Sequence, residues 1–171
     1  MIVIRPETDA DHAAVRQVNE RAFGRTNEAA LVDALRTNAR PYISLVAVDG
    51  EGVVGHIFFS PVTIAAAEGD CSALGLGPMA VLPEYQQQGI GSQLVRSGLA
   101  ACRHLEHGVV VVLGHPHYYP RFGFVPAATK GLRSEYHVPD EFFMVTELIP
   151  GALRQRTGVV KYRPEFADSG A

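Results

Sequence analysis

The sequence predicts an α/β fold with a mixed, mostly antiparallel central sheet flanked by helices, and three patterns carry that expectation. β-Branched and aromatic runs from Tyr42 to Val48 and from Val53 to Ile64 bracket the turn Asp49-Gly50-Glu51-Gly52, the pattern of an antiparallel hairpin. A strand ending Met79-Ala80-Val81-Leu82 leads into a helix from about Gly89. Its apolar positions Ile90, Leu94, Gly98, Cys102 and Leu105 recur every three or four residues, with Ser92, Arg96 and Arg103 on the other side. Val109 to Leu113 is a continuous apolar run suited to a central strand covered on both faces. Strand, helix and strand in that order give one crossover in a sheet otherwise built of hairpins.

The remaining elements follow in order. Ile2-Val3-Ile4 reads as a short strand, and after Pro6 a helix from Asp9 to Phe23 places Ala14, Val15, Val18 and Ala22 on one face, with Asp9 as its N-cap. A second helix over Asn27 to Thr37 stacks Leu31 on Leu35 and forms a hairpin with the first. Glu68-Gly69-Asp70 reverses the chain into the strand that Pro83 stops. Beyond the apolar strand come an aromatic turn (Tyr118 to Phe124) and an irregular acidic stretch (Ser134 to Glu141). A strand from Phe142 to Leu148, another near Val159 to Tyr162 and a loosely ordered tail from about residue 164 complete the chain.

At 171 residues the chain has the length of a single domain. With 47% hydrophobic and 19% charged residues it fills a core without disulfides or a structural metal. Fifteen Lys and Arg against eighteen Asp and Glu leave a net charge of −3, which lacks the dense positive field that phosphate backbones require, so nucleic acid is not the expected partner. Cys71 and Cys102 show no CxxC and no histidines at ligand spacing, the usage of reduced intracellular thiols. No secretion signal opens the chain, and the apolar stretch Gly108 to Gly114 is far too short to cross a bilayer. The expectation is one cytoplasmic domain over residues 1–171, with no membrane partner and no metal.

The turn after the strand carries the most chemistry. In Gln86-Gln87-Gln88-Gly89-Ile90-Gly91-Ser92, two glycines stand at the mouth of a helix whose first N–H groups have no intrahelical acceptor. Without Cβ atoms these positions let an anion approach the main chain, and the helix dipole adds about 0.3–1 kcal/mol per charge. Gly75-Leu76-Gly77-Pro78-Met79-Ala80 also satisfies GxGxxA, but it runs into Val81-Leu82-Pro83 instead of opening a helix and is a coincidence of spelling. There is no GxxxxGK[ST] and no GxSxG.

Gln86 to Gly91, with Ala80 to Tyr85 before it, resembles the Arg/Gln-x-x-Gly-x-Gly/Ala acyl-coenzyme A loop of the GNAT superfamily of N-acetyltransferases. Tyr119-Pro120-Arg121-Phe122-Gly123-Phe124 is similar to that superfamily's Tyr-x-x-x-Gly-Phe segment, and the resemblance runs from residue 2 to about 148. Residues 113–124 are especially similar to one bacterial branch of predicted acetyltransferases. The resemblance implies a GNAT-like acyltransferase fold with acetyl-CoA as cosubstrate. The amides of Gln87, Gln88, Gly89, Ile90, Gly91 and Ser92 would hold the pyrophosphate. The main chain at Met79, Ala80 and Val81 would pair with the pantetheine arm like an added strand, and Gln86 stands where many members have Arg.

By the same resemblance Tyr119 is the general acid that protonates the departing thiolate, with Tyr118 as the alternative; packing beneath the aromatic turn is the competing explanation for both rings. Many relatives carry a glutamate on the strand before the loop, but Leu74 to Val81 contains no carboxylate, leaving water, His115, His117 or an already neutral amine to serve as base. Glu28 falls where the family lines its acceptor cleft, and a solvated first-turn glutamate is the plainer alternative. The implied acceptor is a small-molecule or peptide primary amine, and homodimers are common among relatives. A non-catalytic acyl-CoA-binding regulatory module is the second reading.

Overall fold

The computed structural model describes residues 1–50 and 52–170, so the Glu51 position of the expected turn lies outside them. The chain forms two compact units. Residues Met1–Ser60, Gly77–Gly98 and those from Pro164 onward make one; Pro61–Leu76 and Leu99–Arg163 make the other.

In the first unit β1 (Ile2–Pro6) lies antiparallel to β2 (Ile43–Asp49), which lies antiparallel to the first part of β3 (Gly52–Ala66) with Ile43 opposite Phe59 and Ala47 opposite Gly55. This is the predicted hairpin. Helix α1 (His12–Phe23) begins later than expected: Asp9–Asp11 form a 3-10 turn with Thr8 at its N-cap, and the N-cap of α1 itself is Asp11 in place of Asp9. Asp11 fixes that start by accepting the Thr8 N–H at 2.7 Å while pairing with both Arg5 nitrogens, which hold its carboxyl well below the usual carboxylate range. Of the four apolar positions expected on its inner face only Val15 and Val18 are buried. Helix α2 (Asn27–Asn38) buries Leu31, Val32 and Leu35 against Val15, Val46 and Phe58. The residues expected as a loose tail instead form α4 (Pro164–Ser169), whose Phe166 packs on this cluster while Asn27 Nδ2 donates to the Ser169 carbonyl at 2.7 Å.

In the second unit the end of β3 and the start of β4 (Gly69–Val81) join through a tight turn at Ala67-Glu68. β4 pairs in parallel with β5 (Val109–Leu113) from Leu74↔Val110 to Leu76↔Val112, as the crossover through α3 (Ile90–His104) requires. β5 is flanked on its other side by antiparallel β8 (Phe143–Glu147), and Val109 to Val112 are buried as predicted. Two strands too short to show a period escape the sequence reading: β6 (Val125–Pro126) beside β8, and β7 (Leu132–Ser134), parallel to β9 (Gly158–Lys161). β9 in turn pairs with the end of β3. The mixed, mostly antiparallel sheet architecture with flanking helices is as expected.

The interior of the first unit contains a polar group that the sequence gives no hint of. His56 is completely buried, with Nδ1 accepting from Asn19 Nδ2 at 3.2 Å and Nε2 2.9 Å from the Ser44 hydroxyl. Asn19 Nδ2 also donates to the Val15 carbonyl at 3.0 Å, which fixes the amide's orientation and so places the imidazole proton on Nε2. Burial, with the nearby Arg36 charge adding to it, pushes His56 down from 6.5 to about 3. Unfolded His56 therefore takes up a proton below 6.5 while the folded residue does not. Stability is fully present above 6.5 and falls as pH drops below it, by about 1.4 kcal/mol per pH unit. Denaturant unfolding at pH 7 and pH 5 should differ by roughly 2 kcal/mol from this residue, above the range in which Asp11 protonates. His56→Gln should remove that difference; equal stability of the natural chain at the two pH values would refute a neutral buried imidazole.

Candidate active site

The turn between β4 and α3 lies within the first unit and is braced by several side chains that reach back to the main chain or to neighbouring elements. Pro83–Tyr85 make a single 3-10 turn. The Glu84 carboxylate accepts both terminal nitrogens of Arg21 at 2.9 and 2.8 Å, and this pairing holds its carboxyl below the usual range. The Tyr85 hydroxyl donates to Asp49 Oδ2 at 2.9 Å. Gln88 Nε2 donates to the Glu84 carbonyl at 3.2 Å, and Gln86 Nε2 to the Val81 carbonyl at 2.9 Å. Gln86, the first residue of the loop motif, thus folds back as a brace.

These braces hold a backbone that the chain does not adopt cheaply. Gln87 has φ +61°, a left-handed conformation costing a non-glycine residue roughly 1–3 kcal/mol. Gly89 follows at φ +84°; a Cβ there would meet nothing within 4 Å, so the dihedral, not crowding by the protein, is what calls for glycine. The first main-chain bond of α3 runs from the Gln93 N–H to the Gly89 carbonyl at 3.1 Å. Among the described residues the N–H groups of Gly89, Ile90 and Gly91 have no main-chain acceptor. They stand at the positive end of a 15-residue helix, which is the physical specification of an anion cradle. Just before the turn, Met79 and Val81 are half-buried while Ala80 points inward at 4% exposure, the alternation of a strand. Ser92 is half-buried in the first turn of α3.

Tyr119 belongs to the second unit, where it opens the 3-10 turn Tyr119–Phe122. Its N–H and that of Tyr118 converge on the His115 carbonyl, at 3.4 and 3.1 Å, and Arg121 ties the turn from outside by donating to the carbonyls of His117 and Tyr118. The Tyr119 ring is 8% exposed and meets Tyr118, Phe122 and Phe124 edge-on at centroid distances of 5.0, 6.3 and 5.7 Å. Its other side lies on Gly114, where an added Cβ would come within 2.3 Å of the ring. Packing is therefore real, yet the hydroxyl has no hydrogen-bond partner among the described residues. Burial, with Tyr118 beside it, pushes the phenol up to about 12, so it keeps its proton at neutral pH. Tyr118 is half-buried and lies beneath the Arg121 guanidinium at 4.7 Å.

The other candidates divide. The His115 and His117 side chains are exposed, and no set of three His, Cys, Asp or Glu residues among the described residues is arranged to hold a metal. Glu28 is not a solvated first-turn glutamate: it is 5% exposed and both its oxygens are taken by Arg25, at 3.0 and 2.5 Å. Cys102 is buried and its thiol is pushed up to about 12 by desolvation, the inert core cysteine expected; Cys71 is free and half-buried. Arg21, Asp49, Arg25 and Gly114 escape the sequence reading. Arg25 is within its reach, three residues before Glu28. Arg21 and Glu84 are 63 positions apart, and one sequence holds no signal for that pairing.

Comparison with known proteins agrees with the motifs. Residues 3–127 match the family model of the acetyltransferase (GNAT) domain. The chain is 37% identical over 166 residues to the uncharacterized N-acetyltransferase YhbS of Escherichia coli K12, an alignment covering 96% of this chain and 98% of that protein. The crystal structure of YhbS in complex with CoA superposes with a TM-score of 0.89 at 36% identity, over 97% of this chain and 92% of that one. A GNAT family acetyltransferase from Brucella melitensis in complex with acetyl-CoA gives a TM-score of 0.80 at 37% identity, over 97% and 98% of the two chains. No helix among the described residues is long and apolar enough to cross a membrane. With the family model covering well over half of the chain and relatives matching nearly all of it, the chain belongs to the GNAT family of acetyltransferases.

Proposed function

We propose that residues 1–171 act as one N-acetyltransferase domain in which the turn from Gln87 to Ser92 holds the pyrophosphate of acetyl-CoA and Tyr119 supplies the proton for the leaving thiolate. The chain is an acetyl-CoA-dependent N-acetyltransferase of the GNAT family, and the observation that carries the site assignment is the set of N–H groups of Gly89, Ile90 and Gly91 at the head of α3 that have no main-chain acceptor among the described residues. An anion of two phosphates answers such donors with charge-assisted hydrogen bonds, each roughly twice as strong as a neutral one. The pantetheine amides then pair with the main chain of Met79, Ala80 and Val81. Val81 can share its carbonyl, because the bond from Gln86 occupies only one of two lone pairs.

Transfer proceeds by direct attack. The nitrogen of a neutral primary amine adds to the thioester carbonyl carbon, the C–S bond breaks with its electron pair going to sulfur, and the Tyr119 hydroxyl donates its proton to give the free thiol. The nitrogen, now bound to the acetyl carbon, loses its extra proton to water and the tyrosinate is reprotonated from solvent. The absence of a carboxylate from Leu74 to Val81 favours this assignment of water as the proton acceptor. The acceptor is a small-molecule or peptide amine, and the two free thiols suit a reducing cytoplasm.

Tyr119→Phe should lower turnover by roughly 10²-fold while leaving coenzyme A affinity nearly unchanged, because the hydroxyl acts on the transition state and the ring preserves the packing. Full turnover with chemistry limiting would exclude the acid role. Gly91→Asp places a side chain and a negative charge among the donors and should abolish coenzyme A binding in calorimetry; unaltered affinity would move the pyrophosphate elsewhere. The missing strand carboxylate also motivates a second reading, a regulatory module that binds acyl-CoA without transferring it. Tight acetyl-CoA binding with no thiol release across a broad panel of primary amines would establish that reading instead.

A further inference from the structure

Gly114 follows the last residue of β5, and its N–H donates to the Phe142 carbonyl at 2.9 Å, extending the pairing of Leu113 with Phe143 by one step. Its φ lies outside the left-handed region, so the backbone there accepts any L-residue and the dihedral gives no reason for glycine. The reason is the Tyr119 ring. A Cβ at residue 114 would stand 2.3 Å from Cε2, 2.8 Å from Cδ2 and 3.3 Å from Cζ, where carbon atoms in contact keep about 3.5–4.0 Å. All three atoms belong to one rigid ring, so no flexible end can fold aside. Gly89 of the coenzyme turn is the reverse case, an open position with a left-handed dihedral.

Neither backbone is free to recede. The Gly114 main chain is tied to Phe142, and the Tyr119 N–H is bound to the His115 carbonyl at 3.4 Å. Around the ring Tyr118, Phe122 and Phe124 meet it edge-on, and Phe124 is itself 2% exposed. A methyl group at residue 114 would therefore displace the ring by about 1 Å, the difference between 2.3 Å and an ordinary carbon–carbon contact of about 3.5 Å. The hydroxyl at the end of the ring moves with it. A misplacement of about 1 Å can cost about 10²-fold in rate.

We propose that Gly114 is a positioning residue for the transfer: its missing side chain lets the Tyr119 ring lie directly on the main chain and so sets where the hydroxyl meets the leaving sulfur. This role rests on Tyr119 as the proton donor, and two mutant cycles on the full chain tell their failures apart. The first reads stability. Gly114→Ala should lower the denaturant midpoint of the natural chain and leave it nearly unchanged in a Tyr119→Leu background, whose flexible side chain lacks Cε2 and can turn aside. A Gly114→Ala chain that folds only in that background is the extreme form of the expected result. An equal effect in both backgrounds, including none, would overturn the positioning role whatever the hydroxyl does. The second cycle reads thiol release from acetyl-CoA with whichever primary amine of the panel supports the fastest transfer. Gly114→Ala should lower kcat by about 10- to 100-fold with coenzyme A affinity unchanged, and should cost nothing further in a Tyr119→Phe chain, because the displaced ring then carries no hydroxyl. Losses that multiply, or a natural kcat in Gly114→Ala beside a slow Tyr119→Phe, overturn the positioning role alone. Full turnover in Tyr119→Phe, or a panel with no active amine, removes the acid role and the positioning role together.

Discussion

Three N–H groups at the head of α3, without main-chain acceptors among the described residues, are the constraint around which the first unit is built. A helix start aimed outward on a left-handed Gln87 does not stabilise the fold; it costs roughly 1–3 kcal/mol in backbone conformation before any ligand arrives. The visible braces do not offset this alone. Arg21 and Glu84 are each about half exposed, and an exposed ion pair adds little to stability. Burial contributes more: Ile90 and Leu94, 2% and 0% exposed, each stabilise by about 1.5–3 kcal/mol. The first two turns of α3 are anchored by their apolar face, and the braces only choose the direction in which the turn points. The same packing explains Gly98, where a Cβ would lie 2.4 Å from the Phe59 ring and force the helix off the strand.

Local periodicity makes most of the fold legible, and it fails where periodicity is absent. β2, β3, β5 and α2 have long runs of one period and lie within a residue or two of their expected ends. β6 and β7 have two and three residues, too few to express any period, and their existence depends on partners that one sequence does not reveal. Asp9 is not the cap because Thr8 and Asp11 bind one another across the turn, a choice made by Arg5 on the neighbouring strand. The short helix α4 exists because Phe166 reaches the α2 cluster, again a tertiary cause.

The coenzyme turn is legible because it is contiguous: glycines, a strand end and a helix start within a dozen residues carry the chemistry in their order. Tyr119 is legible only through resemblance. Its surroundings show why residue type alone leaves the matter open, since a ring packed on Gly114, Phe122 and Phe124 is what a structural tyrosine also looks like. What separates the two readings is one atom. A phenylalanine would make the same ring contacts, so the hydroxyl is not needed for packing, and it makes no hydrogen bond among the described residues.

His56 is the opposite case and shows how to weigh a polar group in this molecule. It is more deeply buried than Tyr119 and titrates far from its ordinary range, the features by which catalytic histidines are sought. Yet both its nitrogens are engaged, by Asn19 and Ser44, and its neutral form is the one that the surrounding core stabilises at neutral pH. A group whose hydrogen-bonding capacity is consumed by the fold is held for structure, however perturbed its pKa. Groups that the fold leaves unanswered among the described residues include the N–H donors of Gly89 to Gly91, which have no main-chain acceptor, the Tyr119 hydroxyl, and the buried Asn19 Oδ1 and Ser60 Oγ. Asn19 and Ser60 are enclosed in the core at 0% exposure, so unspent capacity marks a candidate site only where a ligand can reach it, as at the exposed Gly89.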